Sequence, residues 1–226
     1  MFGTIFNCCM ILIGSIIGSL MNKGLKERYQ TILLQAMGFA AVALGINAVT
    51  QYLPKSEEPV LFIVSLAIGA VIGEKIDIEV RFNRFVGRFS DGPLAKGLST
   101  AILLFCIGTL SILGPINSAL QGDHTYLITN GILDGVTSLV LASTFGFGIA
   151  LSAVVLFLWQ GFFYVMALFL NDFMTESLLT EISIIGGILI FATGLNILGI
   201  KNLKSLNMLP ALLIPPVYLT FKHLFL

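Results

Sequence analysis

Residues 126–170 read YLITNGILDGVTSLVLASTFGFGIALSAVVLFLWQGFFYVMALFL and hold a single charge, Asp134. A helix crosses the hydrocarbon core of a bilayer in about 20 apolar residues. The run is too long for one crossing and suits two. The break falls best at Ser143-Thr144-Phe145-Gly146-Phe147-Gly148, where glycines permit a tight turn.

The rest of the chain has the same character. Of 226 residues, 57% are hydrophobic and only 11% are Asp, Glu, Lys or Arg, where a soluble domain carries roughly 25%. The mean hydropathy is +0.98. So few charges cannot cover a water-soluble globule. A collagen period, a charged heptad and a disordered composition are all absent from the sequence. An all-α polytopic membrane protein remains.

Eight spans are expected: 3–21, 31–51, 59–74, 98–118, 126–145, 148–170, 182–200 and 208–225. The eighth carries Pro210, Pro215 and Pro216 and must be kinked or partly unwound. Basic residues support the count. Lys23, Lys26 and Arg28 follow span one. Lys75, Arg81, Arg84, Arg88 and Lys96 follow span three, and Lys201 and Lys204 follow span seven. With eight crossings, ten of the twelve Lys and Arg fall on one side, with Lys55 and Lys222 opposite. The positive-inside rule then puts both termini outside. A seven-span alternative, with 126–170 as one kinked element, places Lys201 and Lys204 outside. The start, Met1 to Asn7, has no positive charge and reads as a first span rather than a signal peptide. In the loop between spans three and four, Glu79 to Phe89 reads as a short amphipathic helix, suited to an anionic leaflet or to a solvated connector.

Two spans share a spelling. Gly38 to Asn47 and Gly187 to Asn196 both follow the pattern Gly, six residues, Gly, one residue, Asn. The offset also lays span one over span six and span three over span eight. Spans 1–3 and 6–8 form a candidate inverted repeat around a central hairpin of spans 4–5. In one transmembrane domain, 1–226, repeat A is 3–74, the cytoplasmic basic loop 75–97, the hairpin 98–145 and repeat B 148–225. The pairs Gly14/Gly18, Gly69/Gly73 and Gly131/Gly135 let backbones approach, within the bundle or across a homodimer.

Asp134 is the one charge well inside a span. Helical spacing sets Asn130, Asp134, Thr137 and Ser138 on one face. A carboxylate, an amide and two hydroxyls are hard ligands suited to H⁺, Na⁺ or a hydrated divalent ion. The plainer reading is an Asp tying two helices. Pro115, in Gly114-Pro115-Ile116-Asn117, frees the Ser111 carbonyl. A break there makes Ser111 and Asn117 candidate partners of the Asp134 face, and simple helix termination explains it too. Asp123 caps the following helix or, with His124, lines an outer vestibule. Asn47 and Asn196 are the polar residues related by the repeat. Cys8, Cys9 and Cys106 read as buried small residues. Phosphate loops, His-Glu-x-x-His and Cys-x-x-Cys are missing from the sequence. The expectation is no enzyme, no cofactor and no nucleic-acid partner; the metal question stays open.

The spelling resembles the bacterial YqgA/YdfK-like membrane proteins, a family of unknown function. The resemblance rests on Gly3-Thr4-Ile5-Phe6-Asn7 with Ile13-Gly14-Ser15, on Ile68-Gly69-Ala70 to Gly73-Glu74, and on Gly122-Asp123 followed by Leu133-Asp134. It rests also on Gly186-Gly187, Ala192-Thr193-Gly194-Leu195, Gly199-Ile200-Lys201 and Asn207-Met208-Leu209-Pro210-Ala211-Leu212. It implies a polytopic protein of a bacterial inner membrane and no particular substrate. The functional expectation is a small secondary transporter or ion-conducting protein for a small solute or cation, in a lipid bilayer, as a homo-oligomer and foremost a dimer. The alternative is a non-transporting scaffold or sensor acting through protein partners.

Overall fold

A computed structural model describes residues 1–21, 26–87, 92–107, 109–169, 175–201 and 203–225, and no strand occurs among them. The helices are α1 (Phe2–Leu20), α2 (Glu27–Tyr52), α3 (Leu61–Ile76), α4 (Ile78–Gly87), α5 (Gly92–Ile107), α6 (Thr109–Leu120), α7 (Thr125–Phe145), α8 (Ser152–Phe169), α9 (Glu176–Ile197) and α10 (Ile214–Phe225). They fall into two compact units. The first is Met1–Ala36 with Phe82–Asn171, and the second is Met37–Arg81 with Asp172–Leu226.

Among the described residues, five helices are long and apolar enough to cross a membrane: α1, α2 with its extension to Lys55, α7, Phe147–Phe169 and α9. A sixth is made by α5 and α6 if read as one span, bent by 43° between Cys106 and Leu110. The eight continuous crossings expected are therefore not met one for one. With 16 residues, α3 reaches only about 24 Å at 1.5 Å per residue. The eighth segment is split: Ser205–Leu213 is a 3-10 run containing Pro210, and α10 begins only at Ile214. Three prolines within seven residues deny the backbone its donors. The break expected at Pro115 is also absent, since α6 runs through that residue. The turn between α7 and α8 falls where expected. Gly146 has φ 85°, and a 3-10 stretch from Phe147 leads into α8. The amphipathic segment is α4, with Arg81 and Arg84 exposed; Arg88 and Phe89 lie outside the described residues.

In the first unit, α1 buries Gly3, Thr4, Asn7, Ile11, Gly14, Ser15 and Gly18, a stripe at helical spacing. That stripe meets α7. Gly3 sits on Leu127, Gly14 on the Gly135 carbonyl and Gly18 on the Leu139 carbonyl, and a Cβ at any of the three would overlap its neighbour. The residue numbers rise together, so α1 and α7 run parallel. On another side α1 meets α8 in the opposite sense: Cys8 Sγ donates to the Ala153 carbonyl at 3.4 Å, and Gly161 faces Met1. The hairpin closes antiparallel, with Gly97 on Phe145 and Gly114 on Leu127. Large apolar side chains on the outer faces stay exposed, Leu20 at 74% and Phe169 at 81%, as lipid-facing residues do.

In the second unit, α2 and α9 pack antiparallel through the two segments of matched spelling. Gly38 faces Gly194, and Gly45 faces Gly187. Each glycine pair lets one backbone touch the other, so the spacing is a packing pattern. In the same way α3 packs antiparallel on the 3-10 run, Gly69 against Ala211 and Gly73 against the Asn207 carbonyl. At that end Glu74 bonds Lys204 Nζ and, at 2.7 Å, Asn207 Nδ2, while Asn207 Oδ1 accepts the Glu79 amide at 2.8 Å.

Gly161 offers a control for these close contacts. A methyl there would meet only Met1 Cε at 3.9 Å, whereas one at Gly45 would reach the Gly187 carbonyl oxygen at 2.7 Å. Gly161→Ala is expected to raise helix stability by up to about 1 kcal/mol, and Gly45→Ala to lower stability by about 1–3 kcal/mol through overpacking. Thermal unfolding of both variants in one detergent checks the opposite signs.

Candidate functional site

The parallel packing of α1 on α7 decides what surrounds Asp134. Gly14 and Gly18 draw the two backbones together, and Asn7, two turns earlier on the same face of α1, is carried to the carboxylate. Asp134 Oδ2 accepts one hydrogen bond from Asn7 Nδ2 and one from Asn130 Nδ2, each at 2.9 Å. Asn130 comes from the preceding turn of α7, as the spacing requires. The carboxylate is 5% exposed and closed over by α1. A charged group at membrane depth persists only with partners or a route to water, and two amide donors on one oxygen supply the first.

Other expected members of the site are placed differently. Ser138 Oγ donates to the Ile11 carbonyl at 3.1 Å and to the Gly135 carbonyl at 2.9 Å, so it joins α7 to the α1 backbone. Thr137 Oγ1 donates to its own helix, to the Leu133 carbonyl at 2.8 Å. Ser111 and Asn117 are buried on α6. Ser111 Oγ receives Gln160 Nε2 of α8 at 3.3 Å, which makes it part of an α6–α8 tie. Asp123 Oδ1 accepts the Thr125 amide at 2.9 Å, fixing the first turn of α7. His124 Nδ1 shares a 2.9 Å hydrogen bond with Ser118 Oγ, and its ring tilts against Phe2 at 5.6 Å between centroids. The structure does not bring Asn47 and Asn196 together as ligands. Asn47 is exposed on α2. Asn196 clamps the loop after α9, donating to the Leu203 carbonyl at 2.8 Å and accepting its amide at 2.7 Å.

Asn7 is the member that sequence reasoning missed. Its signal was present: Thr4, Asn7 and Ser15 alternate with glycines on one stripe of an otherwise apolar helix. Those three also carry buried atoms without a hydrogen-bond partner among the described residues, namely Thr4 Oγ1, Asn7 Oδ1 and Ser15 Oγ. Enclosed polar atoms of this kind need water, an ion or an explanation. The described residues contain no group of three or more His, Cys, Asp and Glu placed to hold a metal ion. The described groups that reach Asp134 are two amide N–H donors on one carboxylate oxygen, with no soft nitrogen or sulfur ligand of the kind a transition metal prefers among them.

Apolar helices with lipid-facing outer surfaces and polar atoms sealed inside define a polytopic α-helical membrane protein. The chain belongs to the family described as Protein of unknown function (DUF554), which it matches over residues 2–220. It is 63% identical over 225 residues to the uncharacterized membrane protein YdfK of Bacillus subtilis (strain 168), covering 100% of this chain and 98% of that one. It is 29% identical over 223 residues to the uncharacterized protein YqgA of Escherichia coli (strain K12), covering 94% of this chain and 93% of the relative. No solved structure matches it.

The Asn7–Asp134 bond joins two helices, so a double-mutant cycle isolates it. Asn7→Ala and Asp134→Ala, singly and together, are expected to give a coupling energy of about 0.5–2 kcal/mol in detergent unfolding. Additive losses would mean that the bond contributes nothing to holding α1 on α7.

Proposed function

We propose that this chain is a small secondary transporter or ion-conducting protein of the bacterial cytoplasmic membrane, in which Asp134 binds or couples a proton or small cation. The observation that carries the proposal is the enclosed carboxylate bonded to Asn7 and Asn130, on an α1 stripe where Thr4 Oγ1, Asn7 Oδ1 and Ser15 Oγ have no hydrogen-bond partner among the described residues. A carrier needs such a group to exchange between a sealed state and a wet one. The sealed state is the one described. Parting α1 from α7 opens the other.

The parallel contact of α1 and α7 supports the first five crossings of the eight-span scheme, while the outside placement of both termini rests on the distribution of Lys and Arg. In that scheme α1 and α7 are the first and fifth crossings and run parallel, as their contacts do. If α3 did not cross while α2 and the bent α5–α6 did, α7 would run opposite to α1. The directions of packing support the inverted repeat. Each expected repeat partner packs antiparallel on its counterpart: α1 on α8, α2 on α9, and α3 on Ser205–Leu213. Within each unit, a two-fold axis in the membrane plane produces that relation. The transport reading also carries with it a non-enzymatic protein and a homodimer formed through lipid-facing helices.

A second reading is favoured by the low exposure of Asp134: a non-transporting scaffold or sensor in which the carboxylate only ties α1 to α7.

Protein reconstituted into liposomes separates the two. A proton or Na⁺ flux above empty vesicles is expected, falling at least tenfold in Asp134→Asn. An unchanged flux in that variant removes the coupling role, and no flux in either favours the scaffold. Topology has its own test. In a background with Cys8, Cys9 and Cys106 replaced by Ala, Lys55→Cys is expected to react with an impermeant maleimide from outside, and Lys201→Cys only after permeabilisation.

A further inference from the structure

The second unit holds an acid that the proposed function does not use. Glu181 lies in the second turn of α9 and is 0% exposed. Its Oε1 accepts a hydrogen bond from Ser56 Oγ. Its Oε2 is enclosed and has no hydrogen-bond partner among the described residues, and the Glu58 backbone amide stands close enough to favour the charged carboxylate. Ser177 stands one turn earlier on the same face of α9, and its Oγ is likewise enclosed without a partner. Ser56 is itself fixed, because its Oγ accepts the Glu58 amide at 3.0 Å.

No basic side chain neutralises this carboxylate among the described residues. Lys222 of α10 is bonded to Glu58 at 2.6 Å, and Lys55 lies over the Tyr52 ring at 5.5 Å. Among the described residues, the other titratable groups at this end are acidic or phenolic. Glu57 and Glu58 come from the segment before α3 and stand near enough to repel a charge on Glu181; Tyr218 of α10 faces Glu58, and Glu176 opens α9. A sealed carboxylate oxygen without a hydrogen-bond partner among the described residues, facing like charges, is costly unless a cation fills the gap. The described residues hold no cluster of three acids or imidazoles for a metal ion, and one carboxylate with two hydroxyls matches a single positive charge.

We propose that Glu181, with Ser56 and Ser177, binds a hard monovalent cation, a proton or Na⁺, in the second unit where α9 begins. The site is independent of Asp134, which belongs to the first unit. As a proton site, the carboxyl group is neutral when occupied and charged when empty. As a Na⁺ site, the ion takes the two carboxylate oxygens and the hydroxyls.

The test is thermal unfolding of the full chain in detergent, in the Asp134→Asn background so that the other acid cannot contribute. One series varies pH without Na⁺, and the other varies Na⁺ against choline at a fixed alkaline pH. The melting temperature is expected to rise with the bound cation and to lose that dependence in Glu181→Gln. Ser56→Ala is expected to raise the midpoint Na⁺ concentration about tenfold, the equivalent of one ligand contact, whereas in the pH series it is expected to lower the midpoint proton concentration, because Ser56 donates to the charged carboxylate. A response in the pH series alone assigns a proton, and one in the Na⁺ series assigns Na⁺. Glu58 does not mimic the acid response. The hydrogen bond from Lys222 holds its carboxylate below the ordinary range. Its contribution to stability is therefore present above the unfolded pKa and lost as pH falls through the lowered value. A Glu181→Gln protein that titrates like its parent overturns the proposal. If that variant does not fold, the infrared carboxyl band of the parent is compared with Ser56→Ala, and a band unmoved by loss of the hydroxyl overturns it equally.

Discussion

Close approach of backbones at glycine is the constraint on which the described structure depends. Lipid tails are as apolar as the side chains they would replace, so burial of Leu or Ile does not draw helices together in a bilayer as it does in water. Contact area and polar ties must do it. Three pairings here contain residues without a side chain at the point of contact: Gly14 and Gly18 on α7, Gly38 and Gly45 on α9, Gly69 and Gly73 on the 3-10 run. Polar side chains then meet beside these contacts. Asn7 reaches Asp134 along α1, and Asn207 reaches Glu74 beside Gly73.

This arrangement explains what the sequence made legible. Membrane class follows from charge content, and the α7–α8 turn from Gly146 in a run too long for one helix. The unwound eighth segment follows from its prolines. The matched spelling around Gly38–Gly45 and Gly187–Gly194 was visible as well, but its meaning was not. A repeat search registers similarity between two segments, and only coordinates reveal that the similar segments touch each other in opposite directions.

What stayed hidden was hidden for physical reasons. Asn7 lies 127 residues from Asp134, and no local periodicity links them. Glu181 has no local signal either, because a helix start and a loop read alike when acids precede an apolar run. Its partner Ser56 lies 125 residues away in sequence. Ser138 and Thr137 share a face with Asp134, yet their hydroxyls satisfy themselves on backbone carbonyls, a habit of Ser and Thr in helices that a face diagram does not register. The break in span four moved away from Pro115 because a proline removes one donor without forcing the helix to end.

Glycine contacts fix how near two helices lie, while polar bonds fix where one stands along the other. At Gly14 and Gly18 the α1–α7 contact sets backbone against backbone, and there it resists an axial shift less than interdigitated side chains would. Register there is held by the Asn7 amide on the Asp134 carboxylate and by Ser138 on the Ile11 carbonyl. A hydrogen bond to an ionised acceptor is roughly twice as strong as one to a neutral group. Adding a proton or a bound cation to Asp134 therefore changes the strength of the tie that sets the register. On the transport reading, this is the physical link between occupancy and movement: the group that binds the ion is also the group that locks the two helices in step.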